Sequence, residues 1–469
     1  MASKRAWESY SATFCAGEME VLVNWIRAGQ SGSVMGLPGA GKSNLLSFLS
    51  HRPDVVAQYL KDSSLKLAVV QVDLNSLPGN DLATFYRVIL RSLYEASVQL
   101  AAIEKSLFET VETLYRKIEE KTDPFLTQSA LRETLLSFQA REARLVLVMD
   151  PFDQFCRTAP TLVLDNLRGL RDGFKTTLVY IVGLRHELAY IRDPVELGEL
   201  YEILDTHLCW VGPLTKDDAR YSIAQVEEAT GKSFGEQQIE QLIDLTGGYP
   251  ALLRAATLWL ARVSPAPDLS AWENRLLAEP SIQNRLKDLW RALTLEEQAV
   301  LSVWQMALAT KSQKERQESL RQIERKYENV FARLRAKHLC VKTDSGWRFS
   351  GPLVARFVAE MEGISAGKIK RDPQTDRFFR GETELTDLSE QDRRLLRYFL
   401  DRPYAAHAIN DLIEAVWPED DSEGVTNWAV TTAIRHLRMR IEPNPAKPCY
   451  LITIPKAGYR FFPEGAPQS

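Results

Sequence analysis

Several familiar signatures are missing from this chain. Five cysteines, Cys15, Cys156, Cys209, Cys340 and Cys449, stand far apart with no C-x-x-C pair. That excludes a disulfide framework and a cysteine-built zinc site, and a reducing cytoplasm is the expected location. No apolar run approaches the about 18 residues needed to cross a bilayer, and the opening residues 1–10 lack the apolar core of a signal peptide, so no membrane partner is expected. Internal repeats at a fixed period and low-complexity tracts are absent. Charge of one sign is absent too: 58 Lys+Arg stand against 62 Asp+Glu for a formal net charge of −4. Any contact with nucleic acid must therefore come from local segregation of charge.

What is present is organised around Gly36 to Ser43, which fits the phosphate-binding pattern G-x-x-x-x-G-K-[ST] without a mismatch. Glycines at Gly36, Gly39 and Gly41 let the backbone turn so that successive N–H groups face inward as a nest for phosphate oxygens. Lys42 is placed to reach the β- and γ-phosphates and Ser43 to offer a hydroxyl to Mg²⁺. Ser33–Met35 reads as a strand entering the loop, and the apolar spacing after Asn44 as a helix whose positive dipole end points at the phosphates. Upstream, Met19, Leu22, Val23 and Ile26 mark an amphipathic helix. Trp7, Tyr10 and Phe14 precede it, placed either to shelter an adenine ring or simply to pack a core.

At 469 residues the chain should divide into roughly three or four domains. Residues 66–73 form a β-rich run, residues 80 to 140 read as helices, and residues 144–150 are an apolar strand ending in Asp150. A buried parallel strand of that kind delivers a carboxylate at the edge where open α/β sheets bind ligands, and Asp150 is the expected Mg²⁺ partner, through water. Residues 176–183 are the next buried strand, ending in Leu184 and Arg185, a cation placed to sense a γ-phosphate. Arg168 and Arg171 are read as a solvated helix face rather than as fingers reaching a neighbouring subunit. Residues 207–211 supply a fifth strand. Helices follow from 214, with Thr215 as an N-cap, and Gly247 and Gly248 stop one helix before Pro250 starts the next.

Phosphate loop, strand-end aspartate, strand ending in arginine and a helical segment carrying G-G-x-P together resemble the STAND class of AAA+-related ATPases over about residues 10 to 360. The resemblance implies ATP/ADP and Mg²⁺ as cofactors, an α/β phosphate-loop core with a helical lid, and Pro250 against the adenine. In related ATPases the position after the strand-end aspartate, or one nearby, carries the acid that polarises the attacking water. Here it is Pro151, so weak ATPase activity is expected, with Asp153 positioning the water.

In the last third, Thr294 and Glu297 form a capping box ahead of a helical stretch that ends near 338. A hairpin over 339–350 then completes a first winged helix. Its helix over 325–337 mixes charges, which fits structure or docking better than DNA reading. A basic linker, Gly367 to Arg371, leads to a second such unit. There the stripe Val430, Ile434, Leu437 and Ile441 marks the third helix, read over 425–442, with Thr431, Thr432, Arg435 and Arg438 on its other face and Trp428 and Arg440 at its ends. From Arg435 to Arg460 the only acid is Glu442, while acids cluster at Glu419 to Glu423. Two strands, Tyr450 to Ile454 and Gly458 to Phe462, make a wing.

This segment, about residues 372 to 463, is similar to the OmpR-type DNA-binding domain of response regulators, whose third helix enters the major groove. The resemblance implies that Thr431, Thr432 and Arg435 face bases and that Arg438, Lys456 and Arg460 contact phosphates. The family's wing has Arg-Gly where this chain has Pro455 and Lys456. The expected domains are a core over 1–213, a lid over 214–285, a winged helix over 286–364, a linker over 365–371 and an OmpR-type winged helix over 372–463. The reading that follows is an ATP-switched transcriptional regulator of double-stranded DNA, assembling as a nucleotide-dependent homo-oligomer and nucleoid-associated when bound. Two others fit the same architecture: a conflict-system sensor whose winged helices dock a protein effector or nucleic acid, and an AAA+ DNA-assembly factor.

Overall fold

The computed structural model describes residues 6–61, 64–310, 312–344, 346–361, 367–417 and 426–467. Two units emerge: one runs to Ala224 and includes Tyr249–Ala251, and the other holds Gln225–Gly248 and everything from Leu252. The core thus extends past 213. Asp218, in the helix Lys216–Thr230, accepts a hydrogen bond from the Cys15 N–H and from the Thr215 hydroxyl that caps that helix.

The first unit is built on five parallel strands: β1 (Gly32–Met35), β2 (Leu67–Asp73), β3 (Arg144–Asp150), β4 (Leu178–Leu184) and β5 (Leu208–Trp210), in the order β2-β3-β4-β1-β5. Helices cover the sheet, so β1 and β4 are buried along their whole length and tolerate only apolar or small residues. Because β4 lies between β1 and β3, pairing Val34 with Gly183 and Met149 with Val182, its end sits between the phosphate loop and Asp150. The stretch expected to be helical comprises Leu82–Glu95, Ser97–Ile103, Lys105–Ile118 and Pro124–Ala140. The N-terminal aromatics pack onto the helix Lys42–His51: Tyr10 stacks on Phe14 at 3.9 Å, Phe14 meets Phe48 edge-on, and Trp7 stacks on His51. Arg171 does not lie on a solvated face as expected; half-buried, it donates to the Gly29 carbonyl and the Ser31 hydroxyl, tying its helix to the turn before β1.

In the second unit, helices Leu295–Leu308, Gln313–Lys326 and Glu328–Ala336 and the hairpin β6 (Cys340–Thr343) with β7 (Gly346–Phe349) form the first winged helix. The Thr294–Glu297 capping box is present, and Glu297, fully buried, pairs with buried Lys337 at 2.9 Å. Burial raises the Glu297 pKa, but Lys337, the Thr294 N–H and Arg333 more than offset that, holding it below the usual carboxylate range.

The basic linker is corrected by the structure. Ile369–Arg371 is a strand, β8, paired antiparallel with β9 (Phe378–Arg380), which pairs with β10 (Thr383–Glu384). Ile369 points into the core while Lys368 and Lys370 face water, the alternation of a half-buried strand. The domain continues with helices Glu390–Asp401, Ile409–Val416 and Asn427–Ile441, the last shorter than expected and capped by Thr426. A second sheet orders β11 (Ala406–His407), β13 (Gly458–Phe461) and β12 (Leu451–Ile454) with β13 in the middle. The acidic cluster Glu419 to Glu423 lies outside the described residues.

The two winged helices are packed together. Leu295 of the first joins the apolar core of the second, the Glu296 N–H donates to the Glu464 carbonyl at 3.1 Å, and Lys326 pairs with Glu382 at 2.9 Å. Gly465, at φ +76°, lies so close to Leu295 that a Cβ would come within 2.8 Å of it.

Candidate functional site

The phosphate loop joins β1 to the helix Lys42–His51, whose first-turn N–H groups have no acceptor within the helix. Gly39 and Gly41 adopt φ of +85° and +94°, the left-handed region that side chains resist. The loop is covered by the turn expected to meet a nucleotide. Tyr249 donates its hydroxyl to the Pro38 carbonyl at 3.0 Å, the Ala251 N–H donates to the Gly39 carbonyl, and a Cβ on Gly41 would stand 3.7 Å from the Pro250 ring. A Cβ on Gly39 would come within 2.4 Å of the Ala251 Cβ, so two constraints converge on that glycine. Gly36 has an ordinary φ; space alone restricts it, with the Lys42 Cβ 3.2 Å from where its own would be.

Lys42 and Asp150, both buried, meet at 2.5 Å. Sequence reasoning missed the residue that makes room for them. A Cβ on Gly183 would lie 2.2 Å from Asp150 Oδ1 and 2.8 Å from Lys42 Nζ. The only local signal is a glycine closing an otherwise apolar strand. Beyond β3, the Asp153 carboxylate accepts the Arg185 N–H through Oδ1 at 2.8 Å, while its Oδ2 is buried with no hydrogen-bond partner among the described residues. Arg185, just after β4, and Ser43, on the first turn of the helix Lys42–His51, are both exposed. These residues fit a nucleotide and its metal: a nest of N–H groups, a buried lysine for phosphate, and an unsatisfied carboxylate oxygen. Among the described residues no group of three acidic, histidine or cysteine side chains could hold a metal alone, so Mg²⁺ here would depend on phosphate oxygens and water.

On the second unit, the helix Asn427–Ile441 buries Val430, Ala433, Ile434, Leu437 and Ile441 and exposes Thr431 and Arg435, with Thr432 half-buried beside them. Lys456 is exposed at the tip of the wing, at φ +67°. Two expected phosphate contacts are corrected. Arg460 is only 3 % exposed and donates to the Tyr404 carbonyl at 2.6 Å, because β13 is the middle strand and both its faces are covered. Arg438 is half-buried and clamps helix to wing, donating to the Leu451 carbonyl and the Thr453 hydroxyl, both at 2.8 Å; burial lowers its pKa. Glu442 is no surface acid either: its buried carboxylate accepts the N–H groups of Cys449, Tyr450 and Leu451.

Residues 382–461 match the family model described as "Transcriptional regulatory protein, C terminal", and residues 18–181 that of "Nephrocystin 3, N-terminal". The chain is 36 % identical over 95 residues to the alkaline phosphatase synthesis transcriptional regulatory protein SphR of Synechococcus elongatus, covering 20 % of this chain and 35 % of that one. It is 38 % identical over 80 residues to the transcriptional regulatory protein YvrH of Bacillus subtilis, covering 17 % and 33 %. The chain thus spans about a third of the length of the curated relatives it matches. Among solved structures, the Walker-type ATPase PABY2304 of Pyrococcus abyssi aligns with 73 % of this chain and 94 % of its own at TM-score 0.42 and 16 % identity, and the Aeropyrum pernix ORC2 protein with 74 % and 91 % at 0.38 and 13 %. The C-terminal segment is a transcriptional-regulator winged helix of the OmpR type. It is joined in one chain to a unit in which a G-x-x-x-x-G-K-S loop follows the first strand of a five-stranded parallel sheet.

Proposed function

We propose that this chain is a transcriptional regulator whose binding to double-stranded DNA is controlled by ATP. The observation that carries the proposal is the turn Tyr249–Ala251, hydrogen-bonded to the phosphate loop and continuous in sequence with the segment leading to both winged helices. A change at the loop is felt by that turn first.

Bound nucleotide would supply a γ-phosphate and its Mg²⁺ as the charges that distinguish ATP from ADP. Gly36, Gly39 and Gly41 shape the nest, Lys42 neutralises phosphate, and Ser43 and Asp150 hold the metal. Pro250 covers the base and Arg185 senses the γ-phosphate. Asp153 is already committed through one oxygen to Arg185, and Pro151 offers no acid, so turnover is slow and the bound state long-lived. The switch acts only through the difference in nucleotide affinity between two arrangements of the lid. On the winged helix, Thr431, Thr432 and Arg435 face bases and Lys456 a phosphate. The regulator acts in the cytoplasm, at the nucleoid when bound, and assembles with further copies in its ATP form.

Selection of duplexes from a random pool, with ADP or with a non-hydrolysable ATP analogue, tests this reading. Enrichment of one motif in one nucleotide state is expected; no enrichment in either state contradicts it.

A further inference from the structure

Trp428 is the second residue of the helix Asn427–Ile441 and is 75 % exposed, beside exposed Thr431 and in line with Arg435 at helical spacing. Recognition helices present their N-terminal residues to base edges, so this ring stands where a groove is read most deeply. Thr431 donates its hydroxyl to the Asn427 carbonyl at 2.8 Å, within its own helix. With its proton committed, the hydroxyl can only accept, and the methyl is the apolar part it presents. The leading turns therefore present an indole and a methyl, with a guanidinium one turn further on. In the major groove the apolar feature that marks a base is the thymine 5-methyl group, and the matching partner of arginine is guanine. Exposed Arg435, Arg440 and Lys456 supply the positive charge that holds such a face on a phosphate backbone.

We propose that Trp428 and the Thr431 methyl read thymine 5-methyl groups, with Arg435 on a guanine nearby. This rests on the reading of the chain as a DNA-binding regulator. From Trp428 to Arg435 the helix rises about 10 Å, or about three base-pair steps, so the thymines and the guanine lie within one short half-site.

The test uses the full-length chain and a duplex selected from a random pool, resynthesised with deoxyuridine at each thymine in turn. Loss of a read methyl should weaken binding about fourfold per position. Trp428→Ala, an exposed site that leaves the fold intact, should bind more weakly and lose that sensitivity at its own position. Thr431→Ser, which removes only the methyl, should do the same at the other, whereas Thr431→Val should stay sensitive. Specific binding that ignores deoxyuridine, or a half-site without thymine, overturns the proposal while leaving the regulator reading intact. Failure to select any sequence overturns both. If Trp428→Ala instead changes the sedimentation of DNA-free protein and leaves thymine sensitivity unchanged, the ring is a protein contact and the proposal falls.

Discussion

Lys42 Nζ and Asp150 Oδ1 lie 2.5 Å apart, buried, one on the first turn of the helix that follows β1 and the other at the end of β3, two strands that are not neighbours in the sheet. The strand between β1 and β3 carries Gly183 one residue before its end, and the pair occupies the space a side chain there would need. The residues proposed to hold phosphate and metal are thus one packed unit, and disturbing either charge is expected to affect both stability and binding.

Lys42→Ala is expected to abolish nucleotide binding and to destabilise the first unit by about 3–5 kcal/mol, since it leaves a buried carboxylate without its cation. Asp150→Asn should keep binding in the absence of metal but lose the gain that Mg²⁺ confers. Titration calorimetry with and without Mg²⁺, alongside thermal unfolding, separates the two.

Gly183→Ala should reduce nucleotide affinity at least tenfold, because its Cβ would overlap the Asp150 carboxylate. Gly169→Ala is the control. A Cβ there meets nothing within 4 Å, and its helix, Thr161–Gly173, should gain up to about 1 kcal/mol from the substitution. Equal effects at the two glycines would contradict the packing account.

The Glu297–Lys337 pair gives a pH dependence. The folded Glu297 pKa is depressed, so its contribution is present above the ordinary carboxylate value of 4.5 and is lost as pH falls through the folded value. Chemical unfolding of the second unit should therefore show stability falling in acid, with a flatter profile in Glu297→Gln. Lys337→Ala should cost about 3–5 kcal/mol at neutral pH.

On the winged helix, Arg435→Ala should cost about 1–3 kcal/mol and relax preference at one base pair, and Lys456→Ala should weaken all duplexes alike and reduce the salt slope by about 1. Arg460→Ala should lower the melting temperature without touching that slope, because its guanidinium faces the Tyr404 carbonyl.

The elements legible in the sequence were those whose reason is local. The loop from Gly36 to Ser43, the apolar run into Asp150, the Thr294–Glu297 box and the stripe from Val430 to Ile441 each carry their constraint within a few residues. Gly183 was invisible because its constraint comes from β1 and β3, which only folding brings beside it. Arg460 was misplaced because counting charges along a chain does not say which strand ends up in the middle of a sheet. Ile369 was read as linker because the basic residues around it hid a two-residue alternation. The contact of Tyr249 and Ala251 with the loop joins residues more than 200 apart, and only Pro250 hinted at it.

The central claim is that nucleotide state sets DNA affinity. The most direct measurement is fluorescence anisotropy of the full chain on a selected duplex at two salt concentrations, with ADP, with a non-hydrolysable ATP analogue and without nucleotide, repeated with Lys42→Ala. The account predicts at least tenfold tighter, salt-sensitive binding in one nucleotide state, with Lys42→Ala held at the nucleotide-free value. Equal affinity in all three states would contradict it.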